Sequence, residues 1–215
     1  MSALVSNIPP LASVPAARSA VAEPVAGNDA VAPATSAEEQ AARAHLLAQL
    51  DDETPDPHRI FAALNDFTLH FYRRKPDAAR NLLELTILLG ERWFGGQVRA
   101  VAIAHLNAAT IALDSNDHAS CARHAAIAEP ALDALGETVH AAHAAEMLGS
   151  VAFLRRRFLE AASCLGRALS RIEAQFGTGH QKAGVLAVRL ARAHAATGDA
   201  LALILLEARY GNLRG

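Results

Sequence analysis

From residue 57 onward the chain alternates apolar stretches of helical period with short polar or glycine-containing breaks. The spacing predicts helices over 57–73, 76–94, 98–113, 117–134, 138–155, 158–175, 180–196 and 200–210. RRKPD, FGGQ, DSND, ALGE, RRRF, FGTG and ATGD separate them. None of these joints can lay one strand beside another, so consecutive helices must be antiparallel neighbours. The local unit is a helical hairpin. Upstream, Ser36-Ala37-Glu38-Glu39 supplies a helix start, serine capping a free amide while Glu39 reaches back, and a first helix is expected over 37–50. DDETPDP at 51–57 ends it. Asp56 then fits the N-cap of the next helix and Pro57 its first position, because proline lacks an amide that the first turn leaves unpaired.

Residues 1–35 have no helical period and hold five of the nine prolines, so they read as a disordered Ala/Pro-rich tail. Residues 36–56 are an extra N-terminal helix with its linker, and 57–211 form the main domain. The chain is 52% hydrophobic but only 5% aromatic. Its core must therefore be built from alanine and leucine, which suits closely approaching helices better than a sheet. The expected fold class is all-α.

The helices repeat. Leu148 and Gly149 precede Ala161, Leu165 and Ala168; Leu190 and Ala191 precede Leu203, Glu207 and Tyr210. Upstream copies carry Ala108, Ala109, Cys121, Ala125 and Ala128, and then Phe67, Thr68, Arg80 and Glu84. Thr68, Ala109, Gly149 and Ala191 mark successive intervals of 41, 40 and 42 residues. Small residues at Ala144, Gly149, Ala161 and Ala168 let two helix backbones approach while Leu148 and Leu165 fill the seam. A helical pair has two apolar faces and cannot bury both alone. Stacking the next pair covers the exposed one.

This pattern resembles the tetratricopeptide family, and within it the kinesin-light-chain-like branch whose repeats are lengthened to about 42 residues. Ala144, Leu148, Gly149 and Ala152 look like its first-helix packing positions, and Ala161, Leu165 and Ala168 like the second-helix ones. RIEAQFGTGH at 171–180 matches the long-repeat link between units, and Gly198-Asp199 resembles the turn within one. The resemblance spans residues 60–210 and is clearest in the last two units. Arg156 stands where glycine is usual, and Ala152 and His194 where an aromatic is common. It implies a right-handed superhelical array of antiparallel hairpins, a TPR-like solenoid, with a concave groove for a protein or peptide partner. The groove positions it implies are Asn65, Leu69 and Tyr72; Leu106, Thr110 and Leu113; His143, Glu146, Ser150 and Phe153; and Val188 with Arg192. Such a face offers apolar anchors with a few donors and charges.

Charge changes this picture little. Net charge is −2, with 3 basic and 8 acidic side chains in residues 1–60 and 10 basic and 5 acidic in 140–215. The basic balance of the last third could orient an acidic partner, but lacks the dense basic face of a dedicated nucleic-acid binder. Arg155-Arg156-Arg157 and Arg73-Arg74-Lys75 both fall at hairpin turns. Solvated edges are the simpler reading; the alternative is a regulatory RNA-binding module that uses those turns without an aromatic stacking platform.

Two histidine patterns invite a metal. Glu137, His140, His143 and Glu146 recur every three positions, but no other helix supplies a matching Glu-x-x-His. His118, Cys121 and His124 share that spacing, yet Cys121 falls where the repeat wants a small packed residue, which leaves the two histidines exposed. A helical metal-binding enzyme is therefore the second alternative, and no cofactor, metal or catalytic residue is assigned. No Ser-His-Asp arrangement has a supporting context, and the glycines lie in joints rather than in a phosphate-cradling loop.

Two cysteines, Cys121 and Cys164, make no disulfide framework and fit a reducing cytoplasm. No apolar run is long enough to span a membrane, and the N-terminus lacks the basic start of a secretory signal. The alanine-rich style points to a bacterium. ALALILLEARY at 200–210 is apolar round much of its circumference, where a repeat array usually needs a polar final face. Leu201, Ile204 and Leu205 are accordingly candidates for self-association. The sequence reads as a non-enzymatic scaffold, adaptor or chaperone that holds a protein partner.

Overall fold

The breaks read from the sequence become helix ends of one recurring geometry. A computed structural model describes residues 37–72, 74–96 and 98–211. The proposed tail at 1–35, the capping Ser36 and Arg73 lie outside the described residues. Among those described, the elements are α1 (Ala37–Leu50), α2 (Pro57–Phe71), α3 (Pro76–Phe94), α4 (Arg99–Asp114), α5 (His118–Ala134), α6 (Thr138–Leu154), α7 (Phe158–Phe176), α8 (Gln181–Thr197) and α9 (Ala200–Tyr210).

Side chains cap several of the helix starts, and the cap at Asp56 is one the sequence predicts. Asp56 accepts from the His58 amide at 3.0 Å, ahead of Pro57. Asp117 and Asp199 do the same for α5 and α9, accepting from Ser120 and Ala202 at 3.1 and 3.0 Å. The helix ends share a second device. After α4, α5, α6 and α8 the chain makes one left-handed residue: Asn116, Gly136, Arg156 and Gly198, with φ of 58°, 72°, 59° and 74°. The amide beyond each reaches back to a carbonyl in the last turn, as Arg157 does to Ala152 at 2.9 Å and Asp199 to His194 at 3.0 Å. These are Schellman ends, in which glycine or asparagine is ordinary and arginine carries steric strain. The glycine-like position at Arg156 is thus a backbone requirement.

Two compact units divide at Ala79 and Arg80. In the first, α1 packs on α2 around Ala42, Leu46, Phe61 and Ala63, and a bifurcated pair from Arg74 holds the buried Glu39. In the second, α4 and α5, α6 and α7, and α8 and α9 form three successive hairpins. One core lies among α4, α5 and α6, with Ala102, Ala109, Ala125, Ala128 and Ala144 packed round Leu106, Leu132 and Met147. A second lies among α6, α7 and α8, where Ala145, Ala161, Ala168 and Ala187 pack round Leu165, Leu169 and Leu186. Each core therefore belongs to one hairpin and the first helix of the next, as stacking requires.

Close approach explains the alanines. A Cβ built on Gly149 of α6 would stand 2.7 Å from Leu165 Cγ and 3.3 Å from the Ala161 carbonyl oxygen of α7. Cys121 occupies an alanine-type position with no exposed surface, and burial pushes its thiol up to about 11. It is a packing residue.

Ion pairs run between successive units at nearly the repeat interval, a feature not anticipated from the sequence. Along the second helices, Arg123 of α5 meets Glu84 of α3 at 2.7 Å. Arg167 of α7 grips Glu129 of α5 with two bonds of 2.8 and 2.9 Å. Arg171 bridges Glu129 and Asp133 at 2.7 and 2.9 Å, and Arg209 of α9 meets Glu173 of α7 at 2.9 Å. In these contacts the acid lies on the earlier unit and the base on the later one. Arg167 supplies the planar two-point geometry that favours arginine for such pairs. Burial alone would raise the Glu129 carboxyl, but the hydrogen bonds from Arg167 and Arg171 hold it below the usual range.

Candidate partner-binding site

The groove positions implied by the resemblance fall on α2, α4, α6 and α8, the first helix of each repeat, with Tyr72 at the C-cap of α2. Asn65 and Tyr72 are buried in the first compact unit and Leu69 is half-buried. In the second unit Leu106 belongs to the core, while Leu113 packs partly against it. Thr110 donates back to the Leu106 carbonyl at 3.0 Å, and Ser150 to that of Glu146 at 2.9 Å. Both hydroxyls are satisfied within their own helices.

Glu146 is committed even more strongly. Its carboxylate is buried between α6 and α8, with Arg189 Nη1 2.6 Å from Oε1. Lys182 Nζ lies 2.5 Å from Oε2 as a charge contact, without an aligned hydrogen bond to that oxygen. His143 Nδ1 is 3.5 Å from Oε2. Burial alone would raise this carboxyl; the partners overcome it and hold it at about 2. Glu146 thus ties two units together rather than presenting a charge to solvent.

Three of the expected groove residues do converge. Ser150 and Phe153 of α6 and Arg192 of α8 line one cavity of about 230 Å³ together with Leu154, Leu165 and Arg189. The Phe158 ring from the start of α7 meets Phe153 edge-on, with centroids 5.2 Å apart. The floor and walls are apolar. At the rim, Arg189 is held by Glu146, whereas Arg192 is exposed and makes no ion pair among the described residues. Val188 is half-buried one turn before Arg192. Leu154 and Arg189 were not anticipated, and Leu165 was assigned only to the helix seam. Arg189 stands 43 residues after Glu146, close to one repeat interval, and that spacing is the signal that could have flagged it.

The volume is below the roughly 300–1,000 Å³ of small-molecule pockets. It suits one apolar side chain of a larger partner, with a guanidinium beside it for a carboxylate. The remaining candidates lie elsewhere. His140 Nδ1 meets Glu137 Oε2 at 2.9 Å near the start of α6. His124 turns inward to His105 of α4 and Glu84 of α3. No group of three or more His, Cys, Asp or Glu side chains converges as a metal site among the described residues. Of the basic turns, Arg74 is paired with Glu39 and Arg157 with Glu160 at 2.9 Å, while Arg155 and Arg156 are exposed. On α9, Leu206 and Tyr210 pack against the second core, leaving Leu201, Ile204 and Leu205 exposed by 67%, 56% and 62%.

Among the described residues the fold is an all-α array of paired helical hairpins, a TPR-like solenoid. Its repeats are similar to those of kinesin-light-chain-type structures at low sequence identity. BtubC (BKLC) from P. vanneervenii is 18% identical, with a TM-score of 0.70 over 82% of this chain and 71% of that one. A kinesin-light-chain-type protein of nearly identical TPR-like repeats from Podosopora anserina is 13% identical, with a TM-score of 0.65 over 82% and 85%. A substituted form of that protein gives 12%, 0.66 and coverage of 82% and 84%. No family model and no curated protein matches the chain. Among the described residues, no helix is long and apolar enough to cross a membrane.

Proposed function

We propose that the protein is a scaffold, adaptor or chaperone that holds a protein partner by an apolar side chain seated between α6, α7 and α8. The observation that carries this reading is the cavity itself: a floor of Phe153, Leu154 and Leu165 with the uncommitted Arg192 at its rim. Apolar burial supplies affinity there, and the guanidinium fixes which way an acidic partner lies. The partly exposed Leu113 of α4 and Val188 of α8 supply further apolar surface, while Leu106 is buried in the core. The buried free thiols of Cys121 and Cys164 suit a reducing cytoplasm, and a bacterial setting is part of the same proposal.

The test is parallel affinity capture by the full chain, Phe153→Asp and Arg192→Glu, with circular dichroism to confirm folding. One partner retained by the parent and lost from both folded variants supports the reading, and its affinity should fall at least tenfold in each. An unchanged set of captured proteins contradicts it. A second reading, self-association through Leu201, Ile204 and Leu205, rests on their exposure on α9. Light scattering of the parent beside Leu201→Ser/Leu205→Ser checks it: a dimer reduced to monomer supports it, and equal masses refute it.

A further inference from the structure

Inside the second unit, four titratable side chains stand in one line across three helices. Glu91 Oε1 of α3 is 3.2 Å from His105 Nε2 of α4. His105 Nδ1 is 3.0 Å from His124 Nδ1 of α5. His124 Nε2 is 2.9 Å from Glu84 Oε1, back on α3. Both rings are almost wholly buried, so each contact must be a hydrogen bond or stand as an uncompensated polar clash.

Counting hydrogens decides what the line can do. Two neutral imidazoles bring two N–H groups, and ionised carboxylates bring none. Three contacts in series need three hydrogens. The neutral line is therefore one proton short. Glu84 settles where the deficit falls. It accepts from Arg123 at 2.7 Å as well as from His124, and these bonds hold its carboxyl below the usual range despite the opposing effect of burial. His124 Nε2 must therefore carry hydrogen, which leaves its Nδ1 as an acceptor. His105 Nδ1 must donate to it. That leaves His105 Nε2 bare, facing the Glu91 carboxylate lone pair to lone pair.

We propose that Glu91, His105, His124 and Glu84 form a one-proton device, in which a single proton entering between Glu91 and His105 completes the line and draws α3 onto α4. Without it, the half-exposed Glu91 swings toward water and the other two bonds persist. With it, all three contacts are bonded: His105 bears N–H on both sides and donates to Glu91 and to His124. A second proton does not enter, because it would set two imidazolium rings with Nδ1 atoms 3.0 Å apart.

Other charges set the range in which this happens. Burial pushes both rings away from the charged form; Glu91 and Glu84 act on His105 in the opposite sense, as do Glu84 and Asp117 on His124. Arg123 opposes protonation of His124, and the His124 ring opposes protonation of His105. Proton uptake therefore falls below the ordinary histidine range. Two histidines in the unfolded chain take up two protons there and the folded pair only one, so acid draws the equilibrium toward unfolding as pH falls below about 6.5.

Nitrogen NMR of the full chain with ring-labelled histidine, titrated from pH 8 to pH 5, tests the device. At pH 8 His105 should be the Nδ1–H tautomer and His124 the Nε2–H tautomer, with a coupling across the Nδ1–Nδ1 bond. One proton should enter the pair during the titration, at His105 Nε2. Two rings in the same tautomer, or independent uptake of two protons, would overturn it. Glu91→Gln removes the carboxylate at an exposed site and supplies an amide hydrogen to the bare nitrogen. It should lower the His105 midpoint by about one pH unit while leaving the tautomers in place. An unmoved midpoint would overturn the role given to Glu91.

Discussion

Helices α7 and α9 hold the same place in successive hairpins, yet they differ in almost every measure of burial. α7 buries Ala161, Cys164, Leu165, Ala168, Leu169 and Ile172, packed between α6 of its own hairpin and α8 of the next. No residue of α9 is fully buried. It leans on α8 through Leu206 and Tyr210, and reaches α7 through Arg209 and Tyr210 on Glu173. The apolar content of the two helices does not explain the contrast. Among the described residues, α7 has a following helix in contact with its second face and α9 does not. In a stacked array, the neighbour rather than the sequence of the helix decides how firmly it is held.

The largest test of that contrast is truncation of one leucine in each helix. Leu165→Ala opens a cavity at a site 2% exposed and should cost about 2–5 kcal/mol in denaturant unfolding. Leu205→Ala, at a site 62% exposed, should stay within about 0.5 kcal/mol. Equal costs would break the comparison. Acid probes the contact between α6 and α8 that Glu146 makes. The Glu146 carboxyl, held at about 2 by His143, Lys182 and Arg189 against its burial, is depressed in the folded state. Its contribution is complete above about pH 4.5 and is lost as pH falls from there toward 2, amounting to roughly 3 kcal/mol. Urea midpoints measured across that window should fall in the parent, and fall less steeply in Glu146→Gln, where Glu129 and Glu84 remain to be protonated.

Smaller effects sharpen the picture of how α7 is seated. Gly149→Ala drives a methyl group against Leu165 and the Ala161 carbonyl, so it should destabilise by about 1–3 kcal/mol. No loss would mean that α6 and α7 approach less closely than described. Arg156→Gly relieves a left-handed arginine just before α7 and should stabilise by about 1 kcal/mol, read as a raised thermal midpoint.

Much of this fold was legible in the sequence because it is written locally. Polar breaks placed the helix ends within about two residues, and the Asp56-Pro57 start is a short-range hydrogen bond. The small residues at Ala109, Gly149 and Ala191 gave the repeat interval directly. Arg156 stood out as a departure, and the structure supplies the reason: its φ is 59°. The site was harder to read. Ser150, Phe153 and Arg192 were assigned by resemblance and share a cavity, but Glu146, assigned in the same way, is closed into contact with Lys182, Arg189 and His143. Which residues pair across units depends on side chains 36–43 positions apart, and helical periodicity carries no information on that register. The His105–His124 contact was invisible for the same reason. With Cys121 packed into the seam, the sequence pattern leaves His124 exposed, whereas the structure buries it against His105.

Native-state hydrogen exchange on the full chain, at a concentration where it is monomeric, tests most directly whether each hairpin is held by its neighbours. The account predicts that amides in the middle of α7 exchange only through global unfolding, while those of α9 exchange through a local opening at least a hundredfold more populated. Equal protection of α7 and α9 in the monomer would contradict it.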